Sequence, residues 1–160
     1  MLTAEYLREV LHYTPETGVF VWRHNRQGHV KAGDVAGSVG SHGYVAIGIK
    51  GTKYLAHRLA WLYVHGGWPR RYLDHVSRDR VDNRIVNLRE AEPWQNSANS
   101  PAHKDSSSGL RGVSAAKGKW NARVMVSGKL HLLGTFSKIE DADAAVRAAR
   151  HLYAGEFAPY

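Results

Sequence analysis

An Asp-His pair and three asparagines lie within the stretch LDHVSRDRVDNRIVNLREAEPWQN, residues 73–96. Hydrolysis of a phosphodiester needs a base that takes a proton from water and a cation that stabilises charge on the leaving oxygen. An unperturbed imidazole titrates at about pH 6.5, so His75 is mostly neutral at physiological pH and can serve as the base. Asp74 and Asn96 carry hard oxygen atoms, the ligand type that suits magnesium, manganese or calcium.

Local geometry could bring these groups to one phosphate. Neighbouring side chains on a strand point to opposite faces, so Asp74 and His75 could address different sides of the scissile group. Asn87, with Glu90 three residues later, forms a capping-box-like pattern that predicts a helix start. A helix from Asn87 onward would carry Asn96 back toward the strand that holds Asp74.

A structural alternative exists for the same stretch. A lone Asp-His pair in a basic loop is more often an ordinary turn, and Asn83 and Asn87 would then be turn and cap residues. Asn83 keeps that structural role in both interpretations, as a turn residue that braces the loop. His57 lies inside an apolar segment, and we expect a core or interface histidine there and not a second base.

The chain is basic and contains no cysteine. Its 160 residues carry a formal charge of +8, and the sequence pI is about 9.9. Such a surface attracts polyanions, which makes nucleic acid the first expected partner and an anionic membrane surface the second. No apolar run approaches the roughly 20 residues that span a bilayer, and the acidic, polar N-terminus is unlike a signal peptide. We therefore expect a cytoplasmic protein outside the membrane.

The elements before residue 96 predict a small sheet followed by a buried helix. Residues 14–23, TPETGVFVWR, and residues 43–55, GYVAIGIKGTKYL, have the β-rich composition and glycine-marked turns of short strands. The segment YLAHRLAWLYVHGG, residues 54–67, is apolar on nearly every side and ends in two glycines. This pattern predicts a core helix with a glycine stop.

The composition changes most sharply at residues 96–109, NSANSPAHKDSSSG, where Ser, Asn, Pro and Gly show no apolar periodicity. This segment predicts a linker. Beyond it we predict three short strands, at residues 111–114, 120–126 and 129–136, with glycine-containing turns between them.

A helix is then predicted over residues 139–153, with Gly155 placed to end it. Its predicted inner face has six members: Ala142, Ala145, Val146, Ala149, Leu152 and Tyr153. The positive charge of this last third is concentrated on the strands, which could form a DNA-reading surface. A solvated charged face is the alternative.

The spacing of Asp74-His75, Asn87 and Asn96, preceded by HRLAWLYVHGGWP and containing DRVDNRIVNL, resembles the HNH endonucleases with a ββα-metal site. The likeness is to the phage and intron-encoded group in particular. It implies that Asp74 and Asn96 bind a divalent metal, that His75 is the general base, and that Asn87 holds the loop and orients the base. The family often has His at the last position. The Asn variant favours an oxygen-loving metal over zinc, so Mg²⁺ is expected, with Mn²⁺ as the alternative.

The last third contains GLRGVS, GKWNARV and LGTFSKIEDADAAVRAA. These stretches resemble the plant APETALA and ethylene-response type of DNA-binding domain, which also occurs fused to phage HNH nucleases. That domain reads DNA with Arg and Trp side chains from its three strands. The resemblance implies DNA contacts by Arg111, Lys119, Trp120 and Arg123. The segment SAAKGKW departs from the plant pattern, so base specificity cannot be carried over.

We thus predict an α+β protein in which a small N-terminal sheet and helix lead into a ββα-metal (HNH) motif at about residues 68–100. A three-stranded antiparallel sheet packed on one helix follows. The expected division is an HNH nuclease domain at 1–100, a linker at 101–108 and an APETALA-like domain at 109–160. The expected activity is metal-dependent nicking or cleavage of double-stranded DNA by a monomer.

Two rival functions are a DNA-binding regulator with an inactive nuclease fold and a structural protein that coats nucleic acid. The intact Asp74, His75 and Asn96 argue against the first. The strand module argues against the second, because coating needs charge but no hairpin-and-helix reader.

Overall fold

The computed structural model describes residues 1–93, 95 and 106–154. The chain divides into two compact units, Met1–Glu90 and Ala91–Tyr160. Both units combine helices with small sheets, which confirms the predicted α+β class. Among the described helices, none has the length and apolarity needed to cross a bilayer.

A short helix and a hairpin open the N-terminal unit. Helix α1 (Ala4–Val10) runs directly into strand β1 (Leu11–Thr14), which pairs antiparallel with β2 (Val19–Trp22). Thr3 caps α1, because its hydroxyl oxygen accepts a hydrogen bond from the backbone N–H of Tyr6 at 3.3 Å. The strand-like stretch at residues 14–23 is therefore the end of β1, the turn and β2.

A second sheet precedes the predicted core helix. It contains β3 (Ser38–Val39), β4 (Val45–Ile49) and β5 (Thr52–Leu55), with β4 in the middle. Helix α2 (Ala56–His65) follows at once, as the apolar segment predicted. It ends at Gly66, whose φ of 75° lies in the left-handed region that glycine adopts without steric cost.

The core of this unit forms where α1, α2 and the first two sheets meet. Each large apolar side chain buried there stabilises the fold by about 1.5–3 kcal/mol. The most deeply buried large members are Tyr13, Phe20, Leu7, Leu11, Ile47, Leu59 and Leu62.

A two-stranded sheet follows α2 and carries the Asp-His pair. Strand β6 (Tyr72–His75) pairs with β7 (Leu88–Ala91), and a 3-10 helix (Ile85–Asn87) lies between them. The predicted helix start at Asn87 is wrong, because the chain after it extends as a strand.

The side chains of the predicted capping box make other contacts. The carboxylate of Glu90 accepts from the backbone N–H groups of Arg70 at 2.6 Å and Arg71 at 3.3 Å, not from the chain at Asn87. After Asn87, the described residues next show helical backbone at Pro93 and Gln95. Asn96 lies outside the described residues.

The C-terminal unit closely follows its prediction. Strands β8 (Val113–Ala116), β9 (Lys119–Val126) and β10 (Lys129–Phe136) form an antiparallel sheet with β9 in the middle, and helix α3 (Ile139–Ala154) follows. The predicted linker falls largely outside the described residues, and the two units divide earlier, between Glu90 and Ala91.

The inner face of α3 is shorter than predicted. Ala142, Val146 and Ala149 are buried against the sheet, but Leu152 is 76% exposed and Tyr153 is 49% exposed. The last turn of α3 therefore adds nothing to this core, and the predicted face is wrong at these two positions.

Candidate active site

His75 ends strand β6 and is buried in a cluster of aromatic rings. The imidazole of His57, from α2, meets it nearly edge-on, with ring centroids 5.0 Å apart and planes at 78°. Tyr44, just before β4, lies 5.9 Å from His75 and 5.2 Å from His57. The guanidinium of Arg80 lies over the Tyr44 ring, 4.9 Å from its centroid. One wall of the candidate site is therefore built from elements that precede β6.

Burial keeps both imidazoles neutral. Desolvation lowers the pKa of His75, and this effect outweighs the opposing influence of Asn83, Asp74, Asp82 and Asp79. Desolvation, followed by the positive charge that His75 and Arg58 can carry, lowers the pKa of His57 to about 3. A neutral imidazole can accept a proton from water, as a general base must.

Asp74 is buried next to His75 and forms an ion pair with Arg89 on β7. The Nε and Nη2 atoms of Arg89 donate to the Oδ2 atom of Asp74 at 3.0 and 2.9 Å. Only 5% of the Asp74 side chain and 15% of the Arg89 side chain are exposed. The pair therefore fixes the direction in which the carboxylate points.

Asn87 holds the loop between β6 and β7 closed. Its Oδ1 accepts from the backbone N–H of Ser77 at 2.8 Å, and its Nδ2 donates to the backbone carbonyl of Asp82 at 2.8 Å. Its own carbonyl accepts from the N–H of Val76 at 2.9 Å. One buried amide thus joins both sides of the loop directly after His75.

Asn83, assigned a turn role from the sequence, lies inside the site. It is 3% exposed, and its Nδ2 donates to the carbonyl of Val81 at 3.0 Å. Its Oδ1 is buried and makes no close, well-aligned hydrogen bond among the described residues. Its side chain interacts with His75 and raises the pKa of that imidazole. Asn83 therefore influences the candidate base as well as bracing the turn.

The structure brings three of the four predicted motif residues together: Asp74, His75 and Asn87. His57 is buried, as the sequence predicted, but its contact with His75 was not foreseen, because no spacing rule links these two positions. Arg89 was also missed, since an arginine on an amphipathic strand gives no signal of an ion pair.

The predicted DNA contacts of the C-terminal unit divide between two sides of its sheet. Lys119 and Arg123 are exposed on the outer face. Trp120 packs with the inner core, on the side of Ala122. Arg111 is partly buried, and desolvation lowers its pKa. The four residues therefore do not share one surface.

Comparison with known proteins identifies the class of this site. Residues 54–98 match a family model described as HNH endonuclease, so this part of the chain is similar to HNH endonuclease domains. An HNH nuclease domain implies DNA as the substrate.

A relative among characterised proteins covers more of the chain. The protein is 32% identical over 107 residues to Protein 3.8 of Escherichia phage T7, across 65% of this chain and 88% of that protein. The chain belongs to the family of that phage protein. No solved structure gives a significant match. None of these comparisons supports the APETALA resemblance of the last third, which stays a prediction.

Proposed function

We propose that this protein is a metal-dependent endonuclease that nicks or cleaves double-stranded DNA, with His75 as the general base. The observation that carries the proposal is the burial of His75 beside Asp74, with Asn87 closing the loop behind them. Burying three polar side chains costs free energy unless their hydrogen bonds are satisfied. Such an arrangement is typical of a site that must hold one geometry.

His75 would take the proton from the attacking water. Burial lowers the pKa of His75 and so favours the neutral imidazole, which is the form that can accept this proton. Asn87 would keep the loop closed so that the imidazole stays aligned with the phosphate, and positioning of this kind contributes to catalysis by avoiding reorganisation during the reaction.

Asp74 and Asn96 would hold a divalent cation, Mg²⁺ or Mn²⁺. The described residues contain no group of three or more His, Cys, Asp or Glu that could hold a metal. A carboxylate and an amide oxygen still fit Mg²⁺, which often takes only one or two carboxylates and completes its shell with water and phosphate oxygens. The hydrogen bonds from Arg89 fix the orientation of the Asp74 carboxylate. When bound, the cation would stabilise charge on the leaving oxygen.

The C-terminal unit would bind DNA through the outer face of its sheet. Lys119 and Arg123 are exposed there and are suited to contact phosphates. We propose the domain division predicted from the sequence. Residues 1–100 would form the nuclease domain, residues 101–108 the linker and residues 109–160 the DNA-binding domain. Base contacts by Trp120 would require it to leave its packed position, so we assign it to the core of this unit.

The test is cleavage of supercoiled plasmid by wild type and by His75→Ala, with His65→Ala as a matched control at the exposed end of α2. Loss of a general base lowers rates by about 10²–10⁴-fold, so His75→Ala should leave the plasmid supercoiled while His65→Ala cuts it normally. One active site per chain predicts that nicked circles accumulate first. Chelation by EDTA should stop the reaction, and added Mg²⁺ or Mn²⁺ should restore it.

Two results would overturn the proposal. If wild type binds DNA but leaves plasmid intact in both metals, the protein is a DNA-binding regulator with an inactive nuclease fold. If His75→Ala cuts as fast as wild type, His75 is not the base.

A further inference from the structure

The side chain of Asn83 is more deeply buried than a turn residue needs to be. Its Nδ2 is committed to the carbonyl of Val81, so the amide cannot rotate without losing that bond. Its Oδ1 is buried and makes no well-aligned hydrogen bond to the described residues, and the side chain influences the pKa of the His75 imidazole. Hydrogen bonds to catalytic groups are often long or poorly aligned before substrate binds, which is consistent with a buried Oδ1 that makes no well-aligned bond in the protein alone.

The β1–β2 hairpin fixes the backbone of Asn83 through a hydrogen bond. The hydroxyl of Tyr13 donates to the carbonyl of Asn83 at 2.7 Å. Tyr13 is itself 2% exposed and packs against Phe20 and Tyr63, with ring centroids 4.6 and 5.6 Å away. The hydrogen bond therefore starts from one of the most rigidly packed side chains of the unit.

The turn of the same hairpin comes into direct contact with this segment. Gly18, at φ +73°, lies so close that a Cβ atom there would be 2.5 Å from the carbonyl carbon of Asn83 and from the N of Arg84. The N–H of Ile85 also donates to the carbonyl of Pro15 at 3.3 Å. The hairpin therefore supports the loop at Asn83 although it lies outside the matched HNH region, residues 54–98.

We propose that Asn83 is a positioning residue, which holds the imidazole of His75 in one tautomer through its Oδ1 while the β1–β2 hairpin holds Asn83. An amide oxygen only accepts hydrogen bonds, so the ring nitrogen that faces it must carry the proton. The other ring nitrogen then has its lone pair available for the attacking water, because the partner of one nitrogen sets the role of the other. The proposal rests on the assignment of His75 as the base.

The first test is kinetic. Asn83→Ala should lower kcat for plasmid nicking by about 10- to 100-fold, the range seen when the partner of a functional histidine is removed. KM for DNA should stay as in wild type, because Asn83 is buried and cannot touch the duplex. Asn25→Ala removes an exposed amide that accepts from the N–H of Ala32, and should change neither constant.

The second test does not depend on cleavage. In ¹⁵N spectra of the full chain above the imidazole titration, His75, assigned with His75→Gln, should show one tautomer in wild type. Asn83→Ala should show a mixture of both. Tyr13→Phe keeps the packed ring and removes only the hydroxyl that holds Asn83. It should therefore change the ratio of the two His75 tautomers in the same direction by a smaller amount. This variant keeps the test available even if Asn83→Ala fails to fold.

The outcomes separate the two proposals. An inactive wild type would overturn the nuclease proposal, while the tautomer spectra would still test the positioning role. Unchanged tautomers in both Asn83→Ala and Tyr13→Phe, or an Asn83→Ala protein that cuts as fast as wild type, would overturn the role of Asn83.

Discussion

The two units of this protein place their polar groups in opposite ways. The N-terminal unit buries five polar side chains: His57, Asp74, His75, Asn83 and Asn87. In the described part of the C-terminal unit, residues 106–154, every fully buried side chain is apolar, and the charged groups of the strands remain exposed.

This difference corresponds to two kinds of work. A buried polar group is costly unless it is satisfied, but once satisfied it is rigid and its charge state is shifted by its surroundings. Chemistry needs both properties. Binding a polyanion needs only exposed charge at low cost, because contacts with phosphates act at long range. The first unit therefore has the buried polar groups that the proposed chemistry needs, and the second has the exposed charge that the proposed DNA binding needs.

The largest expected difference between the two units is the loss of folding stability when one paired arginine in each is replaced by alanine. Arg89→Ala removes the guanidinium from the buried carboxylate of Asp74, and breaking a buried ion pair from one side costs about 3–5 kcal/mol. Arg147 pairs with Asp143 at 2.9 Å on the surface of α3, with 58% of its side chain exposed. Arg147→Ala should therefore cost about 0.5 kcal/mol or less.

Urea unfolding of the two variants measures the free energies directly. Equal losses of stability would show that burial of the Asp74–Arg89 pair does not distinguish the two units energetically.

A smaller effect should appear in the pH dependence of stability. His57 has a pKa of about 3 in the folded protein and about 6.5 when unfolded. Between these values the unfolded chain binds the extra proton, so this contribution to stability is complete above about pH 6.5 and is lost as the pH falls toward 3. The free energy of unfolding should fall by up to about 1.4 kcal/mol per pH unit from this group.

Comparison with His57→Phe isolates that contribution, because other titrating groups are common to both proteins. The free energy of unfolding of wild type, minus that of His57→Phe, should fall between about pH 7 and about pH 5, by up to about 1.4 kcal/mol per pH unit. Parallel pH profiles for wild type and His57→Phe would contradict a neutral, buried His57.

The smallest expected effect is in the C-terminal unit. Arg123→Ala should weaken binding to duplex DNA and reduce the slope of log K against log salt by about 1, as expected for one lost phosphate contact. Arg147→Ala, on the surface of the helix, serves as the control. Fluorescence anisotropy over a series of salt concentrations measures both. If the two variants bind DNA identically, the outer face of the sheet is an ordinary solvated surface and does not contact DNA through Arg123.

The C-terminal unit could be predicted almost completely from local patterns. The hairpin turns at Lys117-Gly118 and Ser127-Gly128 have positive φ at all four residues, as two-residue turns of this kind require. The first strand was predicted two residues early, at 111–114 instead of Val113–Ala116. The inner face was wrong in the last turn of α3, because periodicity shows which residues share a face but does not show where the sheet beneath them ends.

The candidate site could be predicted only in part. The chemistry proposed for Asp74 and His75 was inferred from residue type, and the spacing to Asn87 carried the family resemblance. The role of Asn87 as a helix start was wrong, because a short pattern fits a cap and a loop bridge equally well. Only the tertiary fold decides which backbone groups an amide reaches.

The sequence by itself therefore predicted the α+β class and the basic charge, because these depend on composition and periodicity, and its motif carried the resemblance to the HNH endonucleases. Only the tertiary structure decided the surroundings of His75. His57 comes from α2, Asn83 is held by Tyr13 across 70 positions of sequence, and Arg89 reaches Asp74 from the neighbouring strand. These contacts join residues that are separated in the chain, and strand pairing together with packing of the core brings them together.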